Sequence, residues 1–308
     1  MGNVQDKTKA LFTVNAVVFG TDESILNLPL YNGFSFVRKS LMPLVDHLDE
    51  IFDTDAMGLR RDYEAARIDD SLDVVCVTKC TELDISPSEA DDCFQKLADK
   101  SLVSLDNQIR TIRLLVECPL RCKKIMFRLE YKNYTHQHLF PVNESMTTPD
   151  ISKFHCATDD CIALGQKIAE IAFPLSDTIL NICHMHYDMS YHQDRHISMT
   201  LLVVALEMVY LDNEVAKKEK LAKRCSAYLS TSRDDILFCY KRLKSIYKKR
   251  SEFVHEGMFW EITNDDILFL RKCVRESLLK IVSDKTSKKD RIKNLCGVID
   301  AFGEWEIS

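Results

Sequence analysis

The sequence contains few of the residues that bend or end regular structure. Its 308 residues include 8 glycines and 7 prolines. A sandwich or barrel needs many turns, so this scarcity favours a helix-rich protein. The glycines are also too scattered to form a phosphate-binding loop, a dinucleotide fingerprint or a nucleophile elbow. Nucleotide-driven chemistry is therefore not expected.

Long apolar runs are missing as well. No stretch approaches the roughly 18 residues of a membrane span, and the first ten residues lack the pattern of a secretion signal. Asp6 occupies the position where a myristoylation site needs Ser or Thr. The 12 cysteines then indicate reduced thiols. We expect a cytoplasmic protein with no membrane partner.

Charge is distributed unevenly along the chain. The net charge is −6, but residues 1–150 carry 17 basic and 24 acidic side chains, against 24 and 23 in residues 151–308. Six of the ten residues 241–250 are basic: Lys241, Arg242, Lys244, Lys248, Lys249 and Arg250. A basic patch on an acidic protein suits a short polyanion; the alternative is a solvated helix face.

Residues 1–140 are predicted to form a mixed α+β domain. Alternating or β-branched runs predict strands at 11–20, 25–37 (two short strands joined at Asn32-Gly33), 73–78, 111–117 and 124–131. Helices are predicted at 41–52, 63–68 and 86–100, the last opened by Ser86 before Pro87. Residues 141–152, with two prolines and small polar residues, are the predicted linker.

Residues 153–308 are predicted to form an all-helical domain, so the fold class is α+β overall. Apolar periodicity and capping residues predict helices at 157–172, 175–189, 193–212, 214–230, 233–256, 263–283 and 289–302.

One of these helices carries a cation in its apolar series. Ile236, Tyr240, Leu243 and Tyr247 recur at steps of three and four, and Arg250 follows in the same register. An arginine cannot shed its charge, so it is costly in a closed core and is expected at a groove or partner surface.

His255 lies about 140° around the helix from Arg250. Gly257 predicts a helix C-terminus just beyond it. We expect the backbone to tighten in this last turn, so that the imidazole reaches toward Arg250 and both side chains flank one phosphate.

Arg250, the polar Ser251, three further residues and His255 together resemble the RNase motif of HEPN domains, in the version of the ApeA-like HEPN family. Residues 201–211 (LLVVALEMVYL) and 220–229 (KLAKRCSAYL) resemble two further helices of that family. The likeness covers about 155–305. One departure is Ser251, because many catalytic members carry Asn, Asp or His there.

The resemblance implies a HEPN-type helical bundle that forms a homodimer, lining one cleft with two Arg-His sets. It implies a metal-independent endoribonuclease with no cofactor, cleaving tRNA or single-stranded loops, and a toxin-like role in bacterial antiviral defence. The N-terminal domain would be a sensor or restraint. The alternative is a catalytically silent HEPN dimer that binds RNA or a protein.

The two motif residues suit such a reaction. His255 can take or give a proton because its reference pKa of about 6.5 lies near neutral pH. Arg250 supplies a fixed cation whose fork matches phosphate oxygens. The alternative is structural: an arginine at a bundle end, and a histidine at a helix C-terminus, where a cation is favoured.

Six neighbours complete the predicted site. Glu207, the only charge in the apolar run 201–211, is expected to pair with Arg250, to orient His255, or to bridge to another helix. Ser251 is the better candidate, over Glu252, to touch RNA or the motif. The predicted RNA-binding residues are Lys244, Tyr247, Lys248 and Lys249, although a tyrosine on an apolar stripe is more often core.

Two weaker patterns suggest zinc. His192 and His196 are four residues apart, near Cys183, His184 and His186. In the pairs Cys76/Cys80 and Cys118/Cys122, the two cysteines are further apart in sequence than the usual ligand pairs of zinc fingers. Most of the cysteines are explained as small hydrophobic residues of the core, so no metal is predicted.

Overall fold

The computed structural model describes residues 7–42, 44, 66–67, 73–140, 153–171, 175, 177–212, 215–259 and 261–301. The chain divides into two compact units. The sheet unit holds residues 1–144 and 151–173, and the helical unit holds residues 145–150 and 174–308. The α+β class predicted from the sequence is confirmed at this level. None of the described helices has the length and apolar content to cross a membrane.

The sheet unit contains five antiparallel strands in the order β2-β3-β1-β4-β5. They span Thr8–Phe19 (β1), Phe34–Ser40 (β2), Asp73–Ile85 (β3), Arg121–Tyr131 (β4) and Tyr134–Phe140 (β5). Strand β1 is central, and its pairing with β4 shifts register between Asn15 and Val17.

Strand β1 contributes to apolar cores on both faces of the sheet. Phe12 and Val14 belong to one core, whereas Val17 and Phe19 belong to the other, because alternate residues of a strand point to opposite faces. Helix α1 (Ala90–Leu115) covers the first face with apolar residues spaced at helical intervals. A capping box between Ser86 and Glu89, and Pro87 behind it, precede this helix.

Residues 153–171 belong to the sheet unit, whereas the sequence assigned everything from 153 onward to the helical domain. Phe154 is fully buried, and its N–H donates to the carbonyl of Gly20 at 2.8 Å. Helix α2 (Thr158–Ile171) packs so closely that a Cβ on Gly165 would lie 2.3 Å from Cγ of Pro29. Local periodicity finds this helix but cannot show which core it joins. The predicted linker, 141–152, lies outside the described residues.

The helical unit is built around one apolar helix. Its elements are α3 (Thr178–Met189), α4 (Arg195–Tyr210), α5 (Lys217–Leu229), α6 (Arg233–Glu256), α7 (Asn264–Asp284) and α8 (Lys288–Ala301). Helix α4 contacts all five others, and Leu202 and Leu206 at its centre are fully buried. Side-chain oxygens of Asp177, Asp194 and Ser232 cap the starts of α3, α4 and α6.

Two predictions for the sheet unit were wrong, and one strand was missed. The first half of 25–37 is a 3-10 helix, Glu23–Asn27, capped by the Asp22 carboxylate, and only Phe34–Ser40 is a strand. Residues 111–115 continue helix α1 instead of forming a strand. Strand β5, Tyr134–Phe140, was not predicted. The helices predicted at 41–52 and 63–68 lie largely outside the described residues.

Candidate active site

Helix α6 carries the motif and changes environment along its length. In its first half Ile236, Tyr240 and Leu243 are at most 2% exposed. Further along the same face, the Arg250 side chain is 15% exposed and Val254 is 45% exposed. Arg250 therefore lies on the same helix face as the core residues, but at the edge of the core. This position explains how a permanently charged side chain can occupy a series of apolar positions.

Glu207 of α4 links two residues of α6. The hydroxyl of Tyr247 donates to Oε1 of Glu207 at 2.5 Å, and the other carboxylate oxygen lies 4.0 Å from a terminal nitrogen of Arg250. The guanidinium also lies 6.0 Å from the centroid of the Tyr247 ring. Among the described residues, the buried Nε of Arg250 has no hydrogen-bond partner. The arginine is thus held at one end and retains donor capacity.

Tyr247 remains protonated at neutral pH. Burial, and then the hydrogen bond to the Glu207 carboxylate, raise the pKa of Tyr247 to about 12. Its hydroxyl therefore donates to the carboxylate throughout the working range of an enzyme. The structure places the hydroxyl of Tyr247 against Glu207, whereas the sequence left two roles open for this residue, base stacking and packing in the core.

His255 is in the last turn of α6 and is exposed. The helix remains α-helical through Glu256, and Gly257 ends it in the left-handed region at φ 66°. The tightened last turn expected from the sequence is absent from this described helix, and no hydrogen bond or ion pair described in the structure joins His255 to Arg250. Ser251 is half-buried beside Arg250 in sequence.

The three predicted RNA-binding lysines each lie near a carboxylate. Lys244 Nζ is 3.0 Å from Glu219, Lys249 Nζ is 3.1 Å from Asp266, and Lys248 Nζ is 3.7 Å from Glu252. The positive charge of these lysines is therefore offset by nearby carboxylates. Lys248 is 67% exposed, whereas the Asp266 partner of Lys249 is only 13% exposed. A surface ion pair contributes only ~0–1 kcal/mol, so a phosphate competes most readily for Lys248.

An aromatic cluster beside the motif was not anticipated from the sequence. The ring centroids of His196 and Phe253 are 5.0 Å apart, and Phe259 lies 5.2 Å from His196 and 5.3 Å from Phe253. Phe259 is 77% exposed. The spacing could have indicated Phe253, which follows Arg250 by about one helical turn. The contact with Phe259 could not be predicted in this way, because it depends on the chain turning back after Gly257.

The histidine and cysteine patterns do not converge. Within the part of the chain that the structure describes, no group of three or more His, Cys, Asp or Glu side chains could hold a metal ion. His184 is buried beside Tyr187, with ring centroids 6.5 Å apart, whereas His196 belongs to the aromatic cluster.

No protein-family model, curated protein or solved structure matches this chain.

Proposed function

We propose that the chain is a metal-independent endoribonuclease of the HEPN type, acting on tRNA or single-stranded RNA loops as a defence effector. The observation that carries this proposal is the setting of Arg250. Its guanidinium is largely buried, approached on one side by Glu207 at 4.0 Å, and its Nε has no hydrogen-bond partner among the described residues. A guanidinium at the edge of the core that keeps a donor available can bind an anion, and a phosphate oxygen is the ligand that its fork fits.

The reaction follows from the chemistry of RNA. The 2′-hydroxyl loses its proton and attacks the adjacent phosphorus, and the 5′-oxygen leaves with a proton. The products are a 2′,3′-cyclic phosphate and a 5′-hydroxyl. Arg250 balances the charge that accumulates on the phosphorane oxygens. His255 performs one of the two proton transfers, and its exposure leaves it accessible to the sugar-phosphate backbone.

A homodimer supplies the second proton-transfer group. One Arg250 and one His255 provide a single cation and a single titrating group, whereas the reaction needs a base and an acid. A second copy of the motif facing the first meets this need, and it removes the requirement that Arg250 and His255 of one chain touch. In this assembly Glu207 and Tyr247 are positioning residues, and Ser251 adjoins the RNA.

The flanking residues contribute RNA contacts. Lys248, the most exposed of the three lysines, exchanges Glu252 for a phosphate at little cost. Lys244 and Lys249 exchange their partly buried carboxylate partners at a larger cost. The open ring of Phe259 provides a face on which a base can stack. Binding is therefore expected to weaken with rising salt.

The test is incubation of purified protein with total tRNA in EDTA, using wild type, Arg250→Ala and His255→Ala. Loss of the cation is expected to lower the cleavage rate by about 10²–10³, and loss of the imidazole by about 10²–10⁴. Arg233→Ala, at the exposed start of the same helix, and His155→Ala, in the sheet unit, serve as matched controls and should cleave like wild type.

A silent RNA- or protein-binding HEPN dimer is the second candidate. The carboxylates beside Lys244, Lys248 and Lys249 favour it, because they reduce the positive field that catalysis would use. Wild-type protein that shifts labelled tRNA on a native gel without cleaving it would support this module and contradict the nuclease.

A further inference from the structure

Strand β5 forms one edge of the sheet and lacks the features that normally protect an edge strand. It lies beside β4, and the described residues contain no strand beyond it. Its sequence, YTHQHLF, contains no proline, lysine, arginine or acidic residue. An edge strand presents backbone donors and acceptors, and charged side chains, prolines or a covering element usually keep other chains from pairing with it. The composition of β5 therefore permits a further strand to pair with it.

The opposite edge strand, β2, is protected in several ways. Its Arg38 pairs with Glu23 of the 3-10 helix and, at 2.6 Å, with Asp73 of β3. The next residue, Lys39, donates to the side-chain oxygen of Asn15 at 2.7 Å. The 3-10 helix also packs against β2. The two edges of the sheet thus differ, and β5 is the one suited to a partner strand.

The turn between β4 and β5 determines which backbone groups of β5 face outward. Tyr131 and Tyr134 are partners across the two-residue turn 132–133, so they form a hydrogen-bonded pair. Such pairs alternate with non-hydrogen-bonded pairs along an antiparallel ladder. The N–H and C=O groups of Tyr134, and of every second residue after it, therefore point toward β4. Those of the intervening residues, which include Thr135 and Leu139, point away from β4.

We propose that β5 pairs antiparallel with β5 of a second copy of the chain, about a two-fold axis at Gln137. In this register Thr135 stands opposite Leu139 of the second copy, so that outward N–H groups meet outward C=O groups. The two-fold axis repeats this pair on the other side of Gln137, as in any interface that joins identical surfaces. The result is a continuous sheet across two chains.

The side chains of β5 are complementary to themselves in the same register. Tyr134 and Phe140 each lie three residues from Gln137, so each stands opposite the other in the second copy. Their side chains share one face of the sheet and are 53% and 38% exposed. Aromatic cross-strand pairs stabilise sheets, and no acidic or basic side chain of β5 opposes its counterpart. This symmetry favours a second copy over an unrelated partner strand.

The contact is small and independent of the proposed nuclease. A strand of seven residues buries less surface than a standard protein interface, so we expect weak association. The contact uses residues of the sheet unit alone, and it therefore does not depend on a dimer formed by the helical unit.

The test is site-specific photocrosslinking of the full-length protein. The photoreactive residue p-benzoylphenylalanine replaces Tyr134, and ¹⁵N-labelled and unlabelled chains are mixed at roughly 10⁻⁴ M, which suits a weak contact. We expect covalent dimers in which the β5 segment of a labelled chain is joined to the β5 segment of an unlabelled one. A dimer held only by the helical unit would not produce this cross-link.

Two further substitutions in this photoreactive protein test the register. Thr135→Pro removes an outward N–H and keeps the bonds to β4, so the yield of cross-linked dimer should fall about tenfold or more. Thr135→Val keeps the N–H and the branched side chain, and is the matched control expected to leave the yield unchanged. Gln137→Lys removes no backbone donor but places two lysines opposite each other on the axis, so it should also lower the yield.

Circular dichroism verifies that each variant folds. Three results would overturn the proposal: cross-links confined to single chains, interchain cross-links that map outside β5, or equal yields from Gln137→Lys and Thr135→Val.

Discussion

The contact between Glu207 and Tyr247 gives the sharpest prediction for the site. In Glu207→Gln the tyrosine hydroxyl loses a charged acceptor at 2.5 Å, and the neighbouring Arg250 loses its anionic partner at 4.0 Å. The pKa of Tyr247, raised to about 12 in the native protein, should fall toward its ordinary value of 10 without reaching it, because burial also contributes.

The size of the effect can be worked out from this shift. A rise from 10 to about 12 corresponds to roughly 2.7 kcal/mol if it is taken in full. Burial is the largest cause and the site is partly open to solvent, so about 1 kcal/mol remains for the contact with the carboxylate. We expect Glu207→Gln and Tyr247→Phe each to lower the free energy of unfolding by about 1–2 kcal/mol, with a coupling energy near 1 kcal/mol.

The assay is urea unfolding of the wild type, both single variants and the double variant at neutral pH. Tyrosine labelled with ¹³C at Cζ reports the pKa directly by NMR. The sign is fixed by linkage: a raised pKa contributes stability that is full below pH 10 and is lost between pH 10 and 12. Additive single-variant effects, together with a Tyr247 that titrates alike in the wild type and Glu207→Gln, would refute the assigned contact.

Three further predictions concern stability. Gly165→Ala should lower the free energy of unfolding by about 1–3 kcal/mol, because the new Cβ would meet the rigid Pro29 ring at 2.3 Å. Thermal unfolding measures this loss, and an unchanged melting temperature would contradict the packing described. Gly257→Ala should lower the free energy of unfolding by about 1 kcal/mol. The loss would come from the left-handed φ of 66° alone, since a Cβ there meets nothing within 4 Å. Gly257→Asn should lose less stability, and equal losses in the two variants would argue against backbone strain. Burial alone would raise the pKa of Glu219, but hydrogen bonds from Tyr240, Lys244 and Lys223 lower it below its ordinary 4.5. The stability that ionised Glu219 contributes is therefore fully present above pH 4.5 and is lost on further acidification. The difference in free energy of unfolding between wild type and Glu219→Gln should shrink below pH 4.5. A difference that stays constant with pH would contradict the lowered pKa.

The helical half was largely predictable from the sequence. Its helices begin within a few residues of the predicted positions because capping side chains such as Asp194, Ser232 and Thr263 mark them. The end of α6 was equally readable from Gly257. Such signals are local, so one sequence is sufficient to read them.

The sheet half was harder because tertiary packing overrode local preference. Residues 111–115 include β-branched side chains, but Ile112 and Leu114 are fully buried as part of a helix. Strand β5 carries polar residues and pairs at an edge of the sheet, so its pattern is weak. The assignment of 153–171 depends on contacts with residues more than a hundred positions away, such as that between Phe154 and Gly20.

The site was predictable in part for the same reason. Glu207 is the single charge in the apolar run 201–211, which indicated that it needs a partner, and the structure brings it near Arg250. The engagement of Tyr247 by Glu207 and the return of Phe259 to Phe253 depend on how the helices meet, which periodicity does not encode.

Metal-independent RNA cleavage by His255 can be tested by end-group analysis of RNA fragments formed in EDTA. Total tRNA is incubated with wild-type protein and with His255→Ala, and the termini of any fragments are identified. We expect fragments that carry 2′,3′-cyclic phosphate and 5′-hydroxyl ends with wild type only. Fragments with 3′-hydroxyl and 5′-phosphate ends, or identical cleavage by His255→Ala, would contradict it.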